Sequence, residues 1–335
     1  MSSDRVFFIA EAGANHNRDY RTAIKLIDSA KLAGADAIKF QTYSSETLYS
    51  KNTPDFAGYK NISKLIKNIE MPRHWQKKLK EYCDKIDIEF MSTPFDEMAI
   101  KELDDLGVKR FKIAGFESTD PRFVKEVART NKPIIFTAGI GSDLSMVGNV
   151  IEWIREEGNQ ENITVLHGNN AYPTPHSDIC LGQISKIKET YPNVTVGLSD
   201  HTLGILIPPI AVAMGAKVIE KHFTLDKKAE GPDHKFAIDP FELYDLVDNI
   251  RNVESSLGSR NSFTKSEKNF KKAMRSVVCS SDIKKGEVLT ADNVTTKRPL
   301  LENSIPALNY YEVLGKKANK DLFFDDILKT GDIEI

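Results

Sequence analysis

Residues 6–43 read VFFIAEAGANHNRDYRTAIKLIDSAKLAGADAIKFQTY, two short apolar segments separated by a longer one with a different pattern. The outer segments, VFFIAEAG (6–13) and DAIKFQTY (36–43), are apolar and bounded by Gly, Asp or Asn, as β-strands are. The segment between them is helical in pattern, because apolar residues recur at helical spacing: Ala23, Leu26, Ile27 and Ala30. Strand, helix and strand in this order predict two parallel strands joined by a crossover helix.

The same unit recurs along the chain. Further strand-like segments lie at 89–95, 110–115, 133–139, 163–169, 195–201 and 217–223. Eight strands with intervening helices in about 255 residues match the size of a closed (β/α)8 barrel. The alternative is a doubly wound open sheet, but no G-x-G-x-x-G follows the first strand. The sequence therefore predicts an α/β fold, with a TIM barrel over residues 1–257.

The pattern changes after the barrel. Residues 258–274 are polar and basic, which predicts a linker, and residues 275–335 are rich in strand and turn signals. Within this tail, DIKKGEVLTADNV (282–294) and DLFFDDILKTGDI (321–333) form a weak repeat. Such a repeat predicts a small, pseudo-symmetric, β-rich second domain.

Composition excludes several classes of protein. The 335 residues carry 46 Lys+Arg and 48 Asp+Glu, and a net charge of −2 is not typical of a general nucleic-acid binder. Three widely spaced cysteines do not form a disulfide framework and suit a reducing compartment. There is no run of 18 apolar residues and no signal-peptide pattern, so we expect a cytoplasmic protein without a membrane partner.

Polar residues occupy the ends of several predicted strands, where the barrel interior should be apolar. At spacing two they include Lys39 and Gln41, Ser199 and His201, Glu220 and His222, with Glu11 two residues after Ile9. These ends form the catalytic face of TIM barrels. Because buried unpaired charges cost several kcal/mol, we interpret the pattern as an active site.

Each of these residues also has a plainer interpretation. His201 and His222 could be structural histidines or a metal pair, and Glu117 could serve only as a charge near the helix that Asp120-Pro121 begins. Lys39 and Lys112 could form salt bridges with Glu11 and Glu117, or could bind a phosphate and a carboxylate. The residues alone leave these alternatives open.

The ordered motifs resemble a known family over essentially the whole chain. IAEAGANHN, AGADAIKFQTY, MSTPFD, FKIAGFE, YPTP, GLSDHTLG, GAKVIEKHFTLD and GPDH are similar to the sialic acid synthases. These enzymes make N-acetylneuraminate, legionaminate or pseudaminate from phosphoenolpyruvate. SSDIKKGEVLTADNVTTKRP is similar to the opening of their C-terminal antifreeze-like domain, the SAF domain, which is a β-clip.

The resemblance implies a transferase that condenses phosphoenolpyruvate with an open-chain N-acetylated hexosamine. C3 of phosphoenolpyruvate attacks the aldehyde, water adds at C2, and phosphate leaves by C–O cleavage. A divalent metal, commonly manganese with magnesium or cobalt as alternatives, polarises the aldehyde oxygen. The resemblance also implies a domain-swapped homodimer.

Roles transfer residue by residue onto matching positions. The metal ligands would be His201 and His222, and the catalytic residues Glu11, Glu117, Lys39 and Lys112. The residues that hold phosphoenolpyruvate would be Lys39, Thr93, Lys112, Asn170 and Ser199. The residues that hold the sugar would be Glu11, Gln41, Tyr172, Asp233 and, from the antifreeze-like domain, Arg298.

Three positions depart from the family pattern. Gly115 stands where a phosphate-binding serine is usual, Phe116 replaces a glycine, and Ala138 displaces another hydroxyl. Phe116 resembles some pseudaminate-type sequences, whereas GPDH at 231–234 resembles the neuraminate and legionaminate branches. The acceptor is therefore either N-acetylmannosamine or a 2,4-diacetamido sugar. The alternative functions are an aldol synthase acting on a sugar phosphate and a non-catalytic binding protein.

Overall fold

The computed structural model describes residues 5–55, 60–159 and 162–334. The chain forms two compact units, Met1–Leu257 and Gly258–Ile335. The outer ends of the two predicted domains, residues 1–4 and 335, lie outside the described residues. No helix among the described residues is both long and apolar enough to cross a membrane.

The first unit contains a nearly closed barrel of parallel strands, which confirms the predicted TIM fold. Its strands are β1 Phe7–Gly13, β2 Ala37–Thr42, β3 Glu89–Pro94, β4 Phe111–Ile113, β5 Ile134–Ala138, β6 Ile163–Gly168, β7 Thr195–Asp200 and β8 Val218–His222. The predicted strand at 110–115 is shorter than expected, because the chain turns into a 3₁₀ helix, Glu117–Thr119, directly after it.

Hydrogen-bonded pairing connects every neighbouring pair of described strands except β3 and β4. At this seam a bidentate ion pair joins the first residue of β3 to the residue that precedes β4. Arg110 Nε and Nη2 donate to the Glu89 carboxylate at 2.7 and 3.1 Å. The barrel is thereby closed at its N-terminal end by side chains.

Helices cover the outside of the barrel. They are α1 Tyr20–Leu32, α2 Ser45–Leu48, α3 Ile62–Ile69, α4 Gln76–Lys85, α5 Glu97–Asp105, α6 Pro121–Ala128, α7 Leu144–Glu156, α8 Gly182–Thr190, α9 Ile207–Ala213 and α10 Pro240–Ser256. The helix α1 buries the four residues that its spacing predicts, Ala23, Leu26, Ile27 and Ala30. Asp120 caps α6 and Pro121 begins it, also as predicted.

Side chains inside the barrel form two layers. The lower layer is apolar and consists of Ile9, Ala37, Met91, Ile135, Leu166 and Val218. Because alternate residues of a strand point to the same side, the residue two positions further along also faces inward. In five of these strands that residue is polar: Glu11, Lys39, Thr93, Thr137 and Glu220.

The second unit contains two antiparallel strands, β9 Ser276–Cys279 and β10 Val294–Lys297, and one short helix, α11 Tyr310–Val313. The predicted repeat is present as pseudo-two-fold symmetry. Lys285 N donates to Asp321 Oδ1, and Phe324 N donates to Asp282 Oδ1. The two bonds are equivalent under the 39-residue repeat, in which Lys285 corresponds to Phe324 and Asp282 to Asp321. In each half of the repeat an aspartate thus accepts a hydrogen bond from the backbone of the other half.

Candidate active site

Two lysines from different strands enter the polar layer of the barrel. Lys39 Nζ lies 2.8 Å from Glu11 Oε2 and donates to Thr93 Oγ1 at 2.8 Å. Lys112 Nζ donates to Thr137 Oγ1, also at 2.8 Å. Both lysines are buried, so their charge is directed into the barrel mouth rather than into bulk solvent.

Glu220 lies between the two lysines. Its oxygens are 3.6 Å from Lys39 Nζ and 3.5 Å from Lys112 Nζ, and Ser199 Oγ donates to its Oε1 at 2.9 Å. Lys112 therefore pairs with a carboxylate of β8, whereas the sequence offered Glu117 as its partner. The alternative of a salt bridge between Lys39 and Glu11 is present as predicted.

The two carboxylates of this group differ in their affinity for a proton. Burial raises the pKa of Glu11 above its usual value, and the neighbouring Lys39 offsets only part of this effect. Burial acts in the same direction on Glu220, but Lys112 and Lys39 together lower its pKa to about 2. Glu220 is thus the ionised carboxylate, and Glu11 is the one that retains a proton more readily.

The two histidines end neighbouring strands with their ring centroids 5.5 Å apart. Burial lowers the pKa of both, so both imidazoles are neutral. His201 Nδ1 donates to the carbonyl oxygen of Asn169 at 2.6 Å, which leaves its Nε2 lone pair free. His222 Nδ1 is buried without a hydrogen-bond partner.

These observations test whether the site suits a divalent metal. Among the described residues no group of three His, Cys, Asp or Glu side chains is arranged to hold a metal ion. Two neutral imidazoles with free lone pairs are nevertheless suitable ligands for a divalent first-row metal, and manganese would complete its set with the oxygen ligands that it prefers. An ion held by two protein ligands would keep positions open for water or substrate oxygens. The residues present therefore fit such an ion.

Gly13 leaves room beside this pair. It has φ +50°, and a Cβ there would lie 2.9 Å from Asp233 Oδ2 and 3.5 Å from His222 Cε1. Asp233 Oδ2 is 3.8 Å from His222 Nδ1, and burial raises the pKa of Asp233 to about 6. Only glycine at the end of β1 lets Asp233 and His222 approach each other so closely.

Glu117 and Asn170 each present a buried oxygen without a hydrogen-bond partner, Oε2 and Oδ1 respectively. Burial raises the pKa of Glu117 to about 7, so this carboxyl can carry a proton near neutral pH. Unpartnered acceptors in a protein interior are costly unless a bound molecule satisfies them. Both oxygens are therefore candidates for contacts to a ligand.

Asn170 lies against two glycines. A Cβ added at Gly115 would be 2.7 Å from Asn170 Oδ1, and one added at Gly139 would be 1.9 Å from it. The side chain of Asn170 thus occupies the space that a serine at position 115 would need. At Ala138, another of the three departures from the family pattern, the preceding Thr137 supplies a hydroxyl to Lys112.

The remaining predicted residues divide into two groups. Gln41 pairs in register with Thr93, and the Tyr172 ring lies 4.3 Å from that of His201, so both belong to the barrel mouth. Arg298 follows β10 and belongs to the second unit.

Sequence reasoning counted Glu220 among the polar strand ends but assigned it no individual function, and it overlooked Gly13 and the buried pair of Asp200 and Lys221. Lys221 Nζ lies 2.6 Å from Asp200 Oδ2 and joins β7 to β8 beside the two histidines. Charged residues next to each histidine in SDHT and EKHFT were a signal for this pair. The alternation of Glu220 with His222 was a signal for Glu220.

Both units of the chain match known protein families. Residues 26–262 match the NeuB family, and residues 274–334 match the SAF domain. The chain is 38% identical to the N,N'-diacetyllegionaminic acid synthase of Campylobacter jejuni, over 97% of this chain and 99% of that protein. It is 39% identical to the pseudaminic acid synthase of the same organism, over 98% of this chain and 97% of that protein.

A solved structure shares the fold over most of the chain. It is that of the N-acetylneuraminic acid synthetase of Leptospira borgpetersenii in complex with citrate. The similarity has a TM-score of 0.72 and an identity of 33%, and it covers 79% of this chain and 90% of that one.

Proposed function

Because the chain belongs to the NeuB family, we propose that it is a phosphoenolpyruvate-dependent nonulosonic acid synthase. It would condense phosphoenolpyruvate with an N-acetylated hexosamine and release phosphate by C–O cleavage. The observation that carries the proposal is the juxtaposition of two buried lysines with two neutral imidazoles at one barrel mouth. The lysines suit a multivalent anion, and the imidazoles suit a metal that polarises a carbonyl.

Phosphoenolpyruvate would lie over Lys39 and Lys112. Their ammonium groups suit its phosphate and carboxylate, and the Thr93 hydroxyl, which accepts from Lys39, can donate to the same oxygens. The Ser199 hydroxyl would do so by turning from Glu220 to the anion. The Asn170 amide closes this side of the site. Since Glu220 already neutralises part of the lysine charge, the anion would share the two ammonium groups with it.

The acceptor sugar would lie towards Glu11, Gln41, Tyr172 and Asp233, with Arg298 contributed by the second unit. His201 Nε2 and His222 would hold the divalent metal, which when bound acts as a Lewis acid on the aldehyde. Because Glu117 can carry a proton near pH 7, it is suited to protonate the aldehyde oxygen as the carbon–carbon bond forms.

The atoms balance as follows. C3 of phosphoenolpyruvate forms a bond to the aldehyde carbon, whose oxygen takes up a proton. Water adds at C2 and loses one proton, which replaces the proton taken up by the aldehyde oxygen. The C2 hydroxyl so formed gives its remaining proton to the departing phosphate as the C2–O bond breaks, which leaves a 2-keto acid. The acceptor would be N-acetylmannosamine or a 2,4-diacetamido-trideoxyhexose. The functional unit would be a domain-swapped homodimer.

The experiment is a phosphate-release assay with phosphoenolpyruvate and a panel of N-acetylated hexoses, with and without Mn²⁺. We expect release with at least one member of the panel, its loss on chelation and its recovery with Mn²⁺. His222→Ala should remove activity and Mn²⁺ binding but retain the circular dichroism spectrum of the folded barrel. Release only with sugar phosphates would favour the other aldol synthases, and no release with any acceptor would favour a binding protein.

A further inference from the structure

The loop that follows β8 begins and ends beside the C-terminal end of that strand. Thr224 N donates to the carbonyl oxygen of Ile238 at 2.9 Å, and Ile238 N donates to that of His222 at 3.0 Å. These bonds close the base of a loop formed by residues 225–237. The loop carries Asp233, so its conformation decides where that carboxylate lies.

His234 is buried inside this loop and is 2% exposed. Its Nδ1 lies 2.6 Å from Thr224 Oγ1, and its Nε2 lies 3.3 Å from Asn17 Oδ1. The amide oxygen of Asn17 can only accept, so Nε2 carries the proton and Nδ1 accepts from the threonine hydroxyl. One neutral imidazole thereby connects the end of β8 to the segment that follows β1.

Further contacts hold the loop around this ring. Asn17 Nδ2 donates to the carbonyl oxygen of Glu230 at 3.0 Å. Gly231 has φ +151°, and a Cβ there would lie 2.7 Å from His234 Cδ2, so the backbone is packed directly against the imidazole. The position of the loop therefore depends on the ring of His234 and on its two hydrogen-bond partners.

Asp233 and His234 have different surroundings although they are adjacent. The Asp233 carboxylate lies 3.8 Å from His222 Nδ1, next to Gly13, whereas the imidazole of His234 bonds to Thr224 and Asn17. In the GPDH segment the aspartate thus faces the candidate site, and the histidine anchors the backbone that presents it.

We propose that His234 is a positioning residue, whose bonds to Thr224 and Asn17 hold the 225–237 loop so that Asp233 faces the acceptor sugar. The inference rests on the proposed function, since Asp233 is one of the residues that would bind this sugar. Within the GPDH segment, Asp233 would then bind the sugar and His234 would anchor the loop backbone.

Three variants test the proposal. His234→Ala removes both bonds. Thr224→Val removes, without a change in shape, the hydroxyl that bonds to His234 and that also accepts from Asp226 N at 3.2 Å. His234→Gln can restore both bonds, because its amide oxygen accepts from Thr224 and its amide nitrogen donates to Asn17. Leu79→Ala, a buried change in α4, is the control for a general loss of stability.

We expect Thr224→Val to raise the KM for the sugar about tenfold, the cost of one lost hydrogen bond, and His234→Ala, which removes two, to raise it at least as much. The KM for phosphoenolpyruvate should stay within about twofold, and His234→Gln should restore the sugar KM. Hydrogen exchange of the 225–237 amides should be faster in the first two variants only. Leu79→Ala should lower Tm without changing the ratio of the two KM values.

The proposal would be overturned if His234→Ala and Thr224→Val both left the hydrogen exchange of the 225–237 amides and the KM for the sugar unchanged. An equal rise in both KM values, or a Leu79→Ala variant that reproduces the change in their ratio, would also overturn it. If His234→Ala does not fold, the comparison of Thr224→Val with wild type carries the test. If wild type acts on no sugar, the proposed function fails, while loop exchange still decides whether His234 anchors the loop.

Discussion

Lys112 and Lys39 are the residues whose charge the proposed anion needs most. Replacing either by Met should raise the KM for phosphoenolpyruvate by about 10- to 150-fold, because a charged hydrogen bond contributes ~1.5–3 kcal/mol. The KM for the sugar should change little in Lys112→Met. It should change more in Lys39→Met, since Glu11 then loses its partner at 2.8 Å. Initial-rate kinetics in both substrates measure this, and equal effects on both KM values in Lys112→Met would contradict the assignment.

Glu220 competes with the anion for the same two lysines. Glu220→Gln retains an oxygen for the Ser199 hydroxyl but removes the negative charge 3.5 Å from Lys112 Nζ. We expect inorganic phosphate to bind about tenfold more tightly to this variant, by isothermal titration calorimetry. Asp233→Asn, whose charge acts on Lys39 through space without an ion pair to it, is the control for a more distant charge and should have a smaller effect. Weaker binding to Glu220→Gln would mean that Glu220 orients the lysines rather than competing for them.

The Glu117 carboxyl should make the stability of the folded protein depend on pH. Burial raises its pKa from 4.5 to about 7, so the folded state binds this proton more tightly than the unfolded state does. Stability should therefore fall as pH rises through this window, by at most about 3 kcal/mol from this one group. Glu117→Gln should gain Tm relative to wild type at pH 8 but not at pH 4, although it loses activity. A constant Tm difference across this range would show that Glu117 titrates normally.

At the scale of elements, the periodicity of the sequence predicted each barrel strand to within about two residues. The periodicity also predicted which strand ends are polar. A polar residue two positions after an apolar one can be recognised within a single strand, as with Ile9 and Glu11. The sequence could not pair Lys112 with Glu220, since that contact joins β4 to β8 across the barrel interior. The sequence likewise could not show that position 13 requires glycine, because the group that a Cβ would meet there belongs to Asp233, which lies on a distant loop.

At the end of β5, the absence of a side chain at Gly139 leaves space for the side chain of Asn170. Gly139→Ala would place a Cβ 1.9 Å from Asn170 Oδ1, so the amide must move. We expect a rise in the KM for phosphoenolpyruvate similar to that of Asn170→Ala, and no further rise in the double variant. Gly182→Ala, where a Cβ meets nothing within 4 Å, is the control. An unchanged KM in Gly139→Ala would exclude Asn170 from the anion site.

At the scale of the whole molecule, the two units have independent cores. The second unit is held by its own apolar cluster and by the reciprocal bonds of Asp282 and Asp321. The predicted linker, 258–274, contains a 3₁₀ helix, Lys268–Ala273, which sequence reasoning did not anticipate. Since such a helix rises about 2 Å per residue, the linker spans at most roughly 45–50 Å, against roughly 55 Å for the same segment fully extended. This length still allows Arg298 to reach the barrel of a second subunit.

Complementation between two inactive variants tests whether Arg298 acts in the other subunit. His222→Ala destroys the barrel site but keeps Arg298, and Arg298→Ala keeps the barrel site intact. Each homodimer should be inactive, and this must be confirmed first. In a domain-swapped heterodimer the intact barrel of one chain meets Arg298 of the other, so one of the two sites should work. Purified heterodimers should therefore regain about half of the wild-type rate of phosphate release, whereas an active site built within one chain predicts none, because neither chain carries both groups. Heterodimers as inactive as their parents would place Arg298 on its own barrel or remove it from the site.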